Sequence, residues 1–534
     1  MRKILIFTAV LVLIGLALLA FYYPWFWILF ILVAPLATML IADMAQSKHA
    51  IMRNYPIFGR MRYWMEDLRP KIYQYFVESD IDGSPINRVD RSTIYQRAKR
   101  ELNSQPFGTQ FNVYAEGYEW LAHSIQPIGF DKMDKDPRIV IGGKDCKQPY
   151  SCSIFNISAM SYGSLSSNAV EALNAGAKIG NFAHNTGEGG ISPYHLKHGG
   201  DIIWQIGTGY FGCRDDHGNF HPGLFAEKSK QASVRMIELK ISQGAKPGHG
   251  GILPAAKNTE EVAAIRHVQP HTTIFSPPYH TSFSTPRELL LFIKQMRELS
   301  GGKPVGFKLC IGQKSEFYAI CKAMMATDIY PDFITVDGGE GGTGAAPPEF
   351  SNSVGMPFMD ALSFVHDTLV GFGIRKEIKI LASGKILTGF HILRAMALGA
   401  DACNSARAMM MAIGCIQALQ CNTNKCPAGV ATQDKWLMAG LVVEDKKSRV
   451  ANYHRDTIES AIELSAAAGL SDPKKLTRKH IQRRVFMNEV RSFEEIYPSA
   501  KPGYLLSGDL PQRVKDDLAM AQVDSWEMVS SDAL

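Results

Sequence analysis

Cysteine is scarce in this chain: nine residues among 534, too few and too scattered for the disulfide framework of a small secreted domain. The thiols therefore read as intracellular and reduced, and any cluster of them needs a metal or redox explanation. Charge is sparse as well, at 20% of residues, and the net value is only +6. No Lys/Arg block reaches the length of a nucleic-acid patch, so no nucleic-acid partner is expected; the mild basic excess suits anionic small ligands or a membrane surface. Low-complexity tracts and internal repeats are missing, while 46% of residues are hydrophobic. A disordered or fibrous chain is thereby excluded.

Charge is lacking altogether from Ile4 to Ala42, a run of 39 residues. One helix of that length would reach about 58 Å, roughly twice the hydrocarbon thickness of a bilayer. Tyr22-Tyr23-Pro24-Trp25 offers a break, because proline lacks its N–H and aromatic rings favour the interface. The pattern predicts two membrane helices, 5–21 and 25–42, joined by a tight turn. Arg2 and Lys3 precede them and Lys48, Arg53 and Arg60 follow, which places both ends on the cytoplasmic side. The expected location is an inner or plasma membrane anchor with a cytoplasmic catalytic domain. A cleaved signal peptide ending near Ala20 is the competing reading, and the second apolar segment argues against it.

Beyond the hairpin (1–45), residues 46–150 read as a helical collar and linker, with helices in Met61–Phe76 and Ser92–Leu102. From 151 to 470 short β-branched runs alternate with helical ones. Strands are expected at Ser153–Ser158, Phe182–Asn185, Val234–Ile241, Thr272–Phe275, Pro304–Leu309, Phe333–Val336, Ile378–Ala382 and Ala402–Ser405. Eight such units demand a parallel sheet, most simply an α/β (β/α)8 TIM barrel. A doubly wound sheet would place one Gly-rich turn near its start, and none reads GxGxxG after the first strand. Residues 471–534 form a polar C-terminal extension.

Gly-rich segments follow the strands, where a barrel carries its active-site face. In the late positions commonly used for phosphate stand Gly338, Gly339, Gly384 and Ser405-Ala406-Arg407, with Arg407 as a cation able to pair an anion. Cys415, Cys421 and Cys426 are spaced C-x5-C-x4-C and closed by Pro427. Thiolates suit zinc or iron–sulfur ligation, but structural zinc wants four ligands. Spacing alone leaves a three-cysteine cluster and three reduced, buried thiols both open.

These segments resemble the FMN-binding synthase domain of glutamate synthases, nearest to stand-alone, membrane-anchored members of that family. The resemblance is carried by Ser158–Ser166, Asn185–Gly190, Gln243–Gly248, Ser276–Pro278, Gly306–Leu309, Asp337–Pro347, Ser383–Lys385 and Gly414–Gln433, collinear across about 150–435. It implies a (β/α)8 barrel with FMN, and a [3Fe–4S] cluster held by Cys415, Cys421 and Cys426. It further implies that Ala159, Met160 and Ser161 lie against the isoalloxazine and that Lys308 sits near the flavin N1/O2 edge. Glu188, Gln243 and Lys246 match positions that hold 2-oxoglutarate and its imine: Lys246 as carboxylate clamp, Glu188 to bind the iminium nitrogen or relay a proton. Gly384, Ala406 and Arg407 fall where backbone amides hold the FMN phosphate.

Two departures stand out. The family commonly reads Gln-Gly-Ala-Lys-Pro-Gly-Glu-Gly-Gly-Gln, and here the later positions are His249 and Ile252. Losing a substrate-facing amide at Ile252 removes a hydrogen-bonding partner, so the keto-acid is expected to differ or to be held differently. No glutaminase segment and no separate NAD(P)H domain is recognised. Nitrogen is then expected as ammonia, another amine, or from a separate amidotransferase subunit, and electrons from a ferredoxin-like or membrane donor. The expected activity is reductive amination of 2-oxoglutarate to glutamate. An N-alkylglutamate synthase-like reaction with a primary amine, or a membrane-tethered flavin/iron–sulfur electron carrier, are the alternatives.

Overall fold

The structure, a computed structural model, describes residues 2–102 and 104–527. The side chains of Arg2 and Lys3, and the end of the extension from 528, lie outside the described residues. The chain divides into two compact units, one up to Arg88 and one from Val89 onward.

In the first unit, α1 (Arg2–Tyr22) and α2 (Phe26–Ala45) pack on each other. Both are long and apolar enough to cross a membrane. Helix α2 runs one turn past the expected end, through the charged Asp43. That carboxylate is buried because Arg60 pairs it at 2.6 Å and the Ile57 amide donates to it at 2.9 Å. One short turn, Ala50–Asn54, leads to α3 (Gly59–Ile72), which ends in a π-helical turn, Tyr73–Val77.

The second unit is built on a closed barrel of eight parallel strands: β1 (Phe155–Ile157), β2 (His184–Asn185), β3 (Ile202–Ile206), β4 (Val234–Lys240), β5 (Val305–Leu309), β6 (Phe333–Asp337), β7 (Lys379–Ser383) and β8 (Ala402–Ser405). They follow one another in sequence around the barrel, and β8 closes on β1 through Asn404 beside Asn156. The expected architecture stands, with one strand exchanged. Thr272–Phe275 is not in the barrel; Ile274–Phe275 pairs antiparallel with Ile252–Leu253 in an excursion between β4 and β5. The missing strand is β3, whose five residues are all buried.

Helix α4 (Ser167–Gly180) follows β1. Ser166 caps it by accepting from the Ala169 amide at 3.2 Å, and Asn181 ends it at φ +55°. The 25-residue α6 (Val443–Ala467) lies against α4 so closely that a Cβ on Gly176 would stand 2.5 Å from Val450. Between them in sequence, the excursion carries α5 (Glu260–Arg266). The extension is not merely polar tail: Ile481–Phe486 pairs with Glu489–Ser492 and with Glu119–Leu121 in a three-stranded sheet. After β8 a short helix, Arg407–Ala412, ends before the cysteine loop, and Gly414 turns the chain at φ +109°.

Candidate active site

The C-terminal ends of β2, β4, β5 and β6 bring a dense set of charges to one mouth of the barrel. Lys240 ends β4 and stands in register with Lys308 of β5. Lys240 pairs Glu188, in the loop after β2, at 2.8 Å. Lys308 pairs Asp337, the last residue of β6, at 3.1 Å, and Asp337 also accepts from the Gly244 amide at 3.0 Å. Deeper in the lumen the fully buried Glu238 accepts from Asn185 at 2.8 Å, Gln205 at 2.7 Å and Thr335 at 2.5 Å. A buried carboxylate is stable there because three donors and a nearby cation replace its water.

Each shift of ionisation has a visible source. Burial would raise the Glu188 carboxyl, but Lys240, Arg266 and Lys246 outweigh it and hold it below the usual range. Burial drags Lys246 down to about 8, with Glu188 pulling up and Lys240 pushing down. Burial also opposes charge on Lys308, yet Asp337, Glu238 and Glu188 raise it above its ordinary value. Glu188 is walled by backbone: a Cβ on Gly207 or Gly251 would meet its oxygens at 2.6 Å and 2.5 Å. Lys246 donates to the Ala345 carbonyl at 2.7 Å. Gln243 is half-buried and takes the Lys246 amide on its carbonyl at 3.3 Å.

The loop after β1 carries Ala159, Met160 and Ser161. It is crossed by the Asn185–Gly190 turn at Gly187, which has φ +64° and whose added Cβ would lie 2.6 Å from the Ser161 nitrogen. Only glycine meets both demands. Arg266 approaches the same loop from α5. Its buried guanidinium donates to the Tyr162 carbonyl at 3.0 Å and to Ser161 Oγ at 3.4 Å, while its Nε has no partner. Burial lowers Arg266 to about 10. Nothing in the sequence pattern singled it out: it sits at the end of an ordinary amphipathic helix and takes its meaning from the fold.

On the opposite side, β7 and β8 end at Gly384 and at Ala406-Arg407. Gly338 and Gly339 have their amides already bonded, to Ser383 and Met356, so the phosphate-binding expectation narrows to the other three. None of the described residues accepts from the amides of Gly384 or Ala406. Lys385, unassigned from sequence, is lowered first by burial and then by Arg407, so two cations share this corner. Arg407 itself donates to the Glu340 carbonyl at 2.8 Å. Free amides beside a like-charged pair are the donor set of an anion such as a phosphate.

The three thiols lie on a loop latched to the β1 loop. Gln433 donates to the carbonyls of Gly163 and Leu165 at 3.1 and 2.8 Å, and Lys257 donates to that of Ser164 at 2.8 Å. Lys257, another residue sequence reasoning missed, is lowered to about 8 by burial and raised by Cys421 and Cys426. Burial pushes Cys415 up to about 11, and Cys421 and Cys426 add to it. Among the described residues no three His, Cys, Asp or Glu close around a point as the ligands of a single ion do. The three thiols lie near enough to bear on one another's ionisation.

His249 turns its Nδ1 to the Gly250 carbonyl at 2.8 Å and its ring to Phe350. Ile252 opens the short strand paired with Phe275, one residue beyond the Gly251 wall of Glu188. Behind the strand ends lies a separate cavity of about 650 Å³ lined by Ile241, Leu309, Phe283 and Trp526 among others. It has no lysine or arginine in its lining and does not fit a dianionic acid.

Residues 99–471 match the family model described as the conserved region in glutamate synthase. The glutamate synthase large subunit-like protein YerD of Bacillus subtilis (strain 168) is 40% identical over 487 residues, 84% of this chain and 92% of the relative. The archaeal glutamate synthase [NADPH] of Methanocaldococcus jannaschii is 35% identical over 322 residues, 60% of each chain. The archaeal-type enzyme of Thermotoga neapolitana is 36% identical over 317 residues, 59% of each. The chain thus spans only about three fifths of the latter two. Among solved structures, a mandelate oxidase variant covers 81% of this chain and 96% of its own at 13% identity and a TM-score of 0.41, a likeness that carries no argument.

Proposed function

Because the chain belongs to the glutamate synthase family, whose conserved region it carries over residues 99–471, we propose that it is a membrane-anchored oxidoreductase that reductively aminates 2-oxoglutarate to glutamate. The reaction joins ammonia to the keto carbon, releases the keto oxygen as water, and consumes two electrons and two protons. The observation that carries this reading is Glu188, an ionised carboxylate set among the buried cations Lys240, Lys246 and Arg266 at the mouth of the barrel.

Four cations (Lys240, Lys246, Arg266, Lys308) face three carboxylates (Glu188, Glu238, Asp337). The one surplus positive charge suits an anionic substrate. Arg266, with its unpartnered Nε, and Lys246 are the groups to hold its carboxylates. Glu188 is held ionised, so its part is to bind the iminium nitrogen as an acceptor and not to donate a proton. Lys246, at about 8, is the group near the mouth poised to give one up. Gln243 stands between β4 and Lys246 to orient the keto-acid.

FMN fits the corner made by Gly384, Lys385, Ala406 and Arg407 at its phosphate and the Ala159-Met160-Ser161 loop at its ring, and when bound it supplies the hydride for the imine carbon. Lys308, raised by Asp337 and Glu238, keeps a fixed positive charge at that mouth, where negative charge is to be stabilised. A [3Fe–4S] cluster on Cys415, Cys421 and Cys426 would supply single-electron transfer. Helices α1 and α2 serve as a two-helix membrane anchor, which fits an electron donor in or at the membrane. The relatives named for NADPH make that the first soluble donor to try.

Anaerobic reoxidation of the chemically reduced full-length protein tests the proposal. Flavin absorbance is expected to return only when 2-oxoglutarate and ammonia are both added, with glutamate in the quench. Reoxidation with methylamine but not ammonia would move the reading to an N-alkylglutamate. Bound flavin with no reoxidation by either amine would overturn it.

A further inference from the structure

Helix α3 (Gly59–Ile72) leaves an apolar face without cover. Phe58, just before it, is 77% exposed, Trp64 62%, Met65 58%, Met61 56% and Ile72 46%. A polar helix surface on a soluble protein does not carry such a run of large side chains. Projected at about 100° per residue, Phe58, Met61, Trp64, Met65, Leu68 and Ile72 fall in one arc of about 120°. The charges are sorted around it. Arg60 and Lys71 lie on one edge of the arc and Arg62 and Arg69 on the other, while Glu66 and Asp67 fall on the back. Basic residues on both borders and acids opposite are the arrangement of a helix that lies in a lipid–water interface.

The start of α3 is also pinned to the end of α2. Arg60 pairs the buried Asp43 in the last turn of α2 at 2.6 Å, and the Ile57 amide donates to the same carboxylate at 2.9 Å. If α2 ends at a membrane surface, α3 therefore begins there. Tyr73, Tyr75 and Phe76 continue exposed through the π-helical turn, and aromatic residues of this kind favour the headgroup level.

We propose that α3 lies flat on an anionic bilayer surface, its apolar arc in the acyl boundary and its side chains Arg62, Arg69 and Lys71 on lipid headgroup phosphates, while Arg60 stays on Asp43. The hairpin then anchors the protein and α3 fixes its depth at that surface. This rests on α1 and α2 spanning a membrane.

The test uses the full chain reconstituted in bilayers brominated on the upper acyl chain, with and without anionic lipid. The emission of Trp64 is isolated as the difference between the wild type and Trp64→Phe, since six other tryptophans remain. The difference emission is expected to fall at least about twofold in brominated anionic bilayers, and to recover in Arg62→Glu/Arg69→Glu. An unquenched difference emission in a chain whose Trp25 and Trp27 are quenched overturns the proposal while leaving the anchor intact. A change in oligomer mass of the Trp64→Ser/Met65→Ser variant in that case would give the face to a second copy. A chain that neither quenches nor floats with vesicles loses both the anchor and the inference.

Discussion

Replacing Glu188 by glutamine keeps the shape of the side chain and removes the carboxylate facing Lys240, Lys246 and Arg266. Two consequences follow from the geometry. Lys240, paired with Glu188 at 2.8 Å and buried, is left as an uncompensated charge, a change that costs about 3–5 kcal/mol in comparable buried pairs. Lys246 loses the one influence that lifts it. At an effective dielectric near 20, an attraction of about 1.4–2.7 kcal/mol corresponds to one to two pH units. Lys246 stands at about 8 with Glu188 present. Its ammonium is the form that holds a carboxylate, so kcat/KM for 2-oxoglutarate should fall as pH rises through that value. In Glu188→Gln the basic limb should move down by one to two units, alongside a lower Tm. Glu188→Asp, which keeps the charge, should leave the limb near its original place. The assay is kcat/KM against pH by anaerobic stopped flow, with a melt on each variant. A Gln variant that is merely slower, with its basic limb unmoved, would refute the assignment of Lys246 as the titrating clamp.

Three other outcomes are expected. Lys385→Met and Arg407→Met should each weaken FMN retention about tenfold or more, as the loss of one charge-assisted phosphate contact does, read as flavin per protein after dialysis; full retention in both would remove the phosphate from this corner. Gly187→Ala should cost about 1–3 kcal/mol or more, because φ +64° and an approach of 2.6 Å to the Ser161 nitrogen both oppose a side chain; a urea midpoint equal to wild type would contradict the crossing of the two loops. His184 and His454 are lowered to about 3 and His280 to about 4, each by burial first. Their folded values lie below the unfolded 6.5, so stability is intact above that pH and is lost as pH falls beneath it, by about 4 kcal/mol per pH unit for the three together. Equal Tm at pH 7 and pH 5 would show that these rings find protons without unfolding.

The barrel was legible because its strands are short, fully buried runs separated by glycine-rich turns, and parallel strands buried on both faces leave that pattern. The exchange of β3 for Thr272–Phe275 has a physical source. Ile202–Ile206 follows β2 with only a short intervening helical turn at Pro193–Leu196, so no full helical period announced it. Thr272–Phe275 is β-branched but belongs to a hairpin outside the barrel. Glu188, Lys246 and Lys308 stood out through the segments that carry the family resemblance, and the structure brings them to one mouth. Lys240, Glu238, Arg266, Lys257 and Lys385 were not found. Each is an unremarkable residue of a strand or helix in sequence, and only barrel closure or the return of the excursion puts it beside a functional group.

That excursion between β4 and β5 does more than decorate the barrel. It carries Gln243 and Lys246 on its way out and Arg266 on its return, so both ends of a dicarboxylate would be held by one segment. On the same segment Lys257 ties to the Ser164 carbonyl, and the Ala256 carbonyl accepts from Asn424 of the cysteine loop at 3.1 Å. The loop against which the flavin ring is proposed to rest is therefore braced from two sides, by Arg266 at Tyr162 and by Lys257 at Ser164. A displacement of residues 243–266 would therefore disturb Lys246 and Arg266 together with the bracing of the β1 loop and the contact to the cysteine loop. On the proposed reading, substrate binding and electron entry share one structural element, whose buried cations Lys246, Lys257 and Arg266 are each lowered by desolvation.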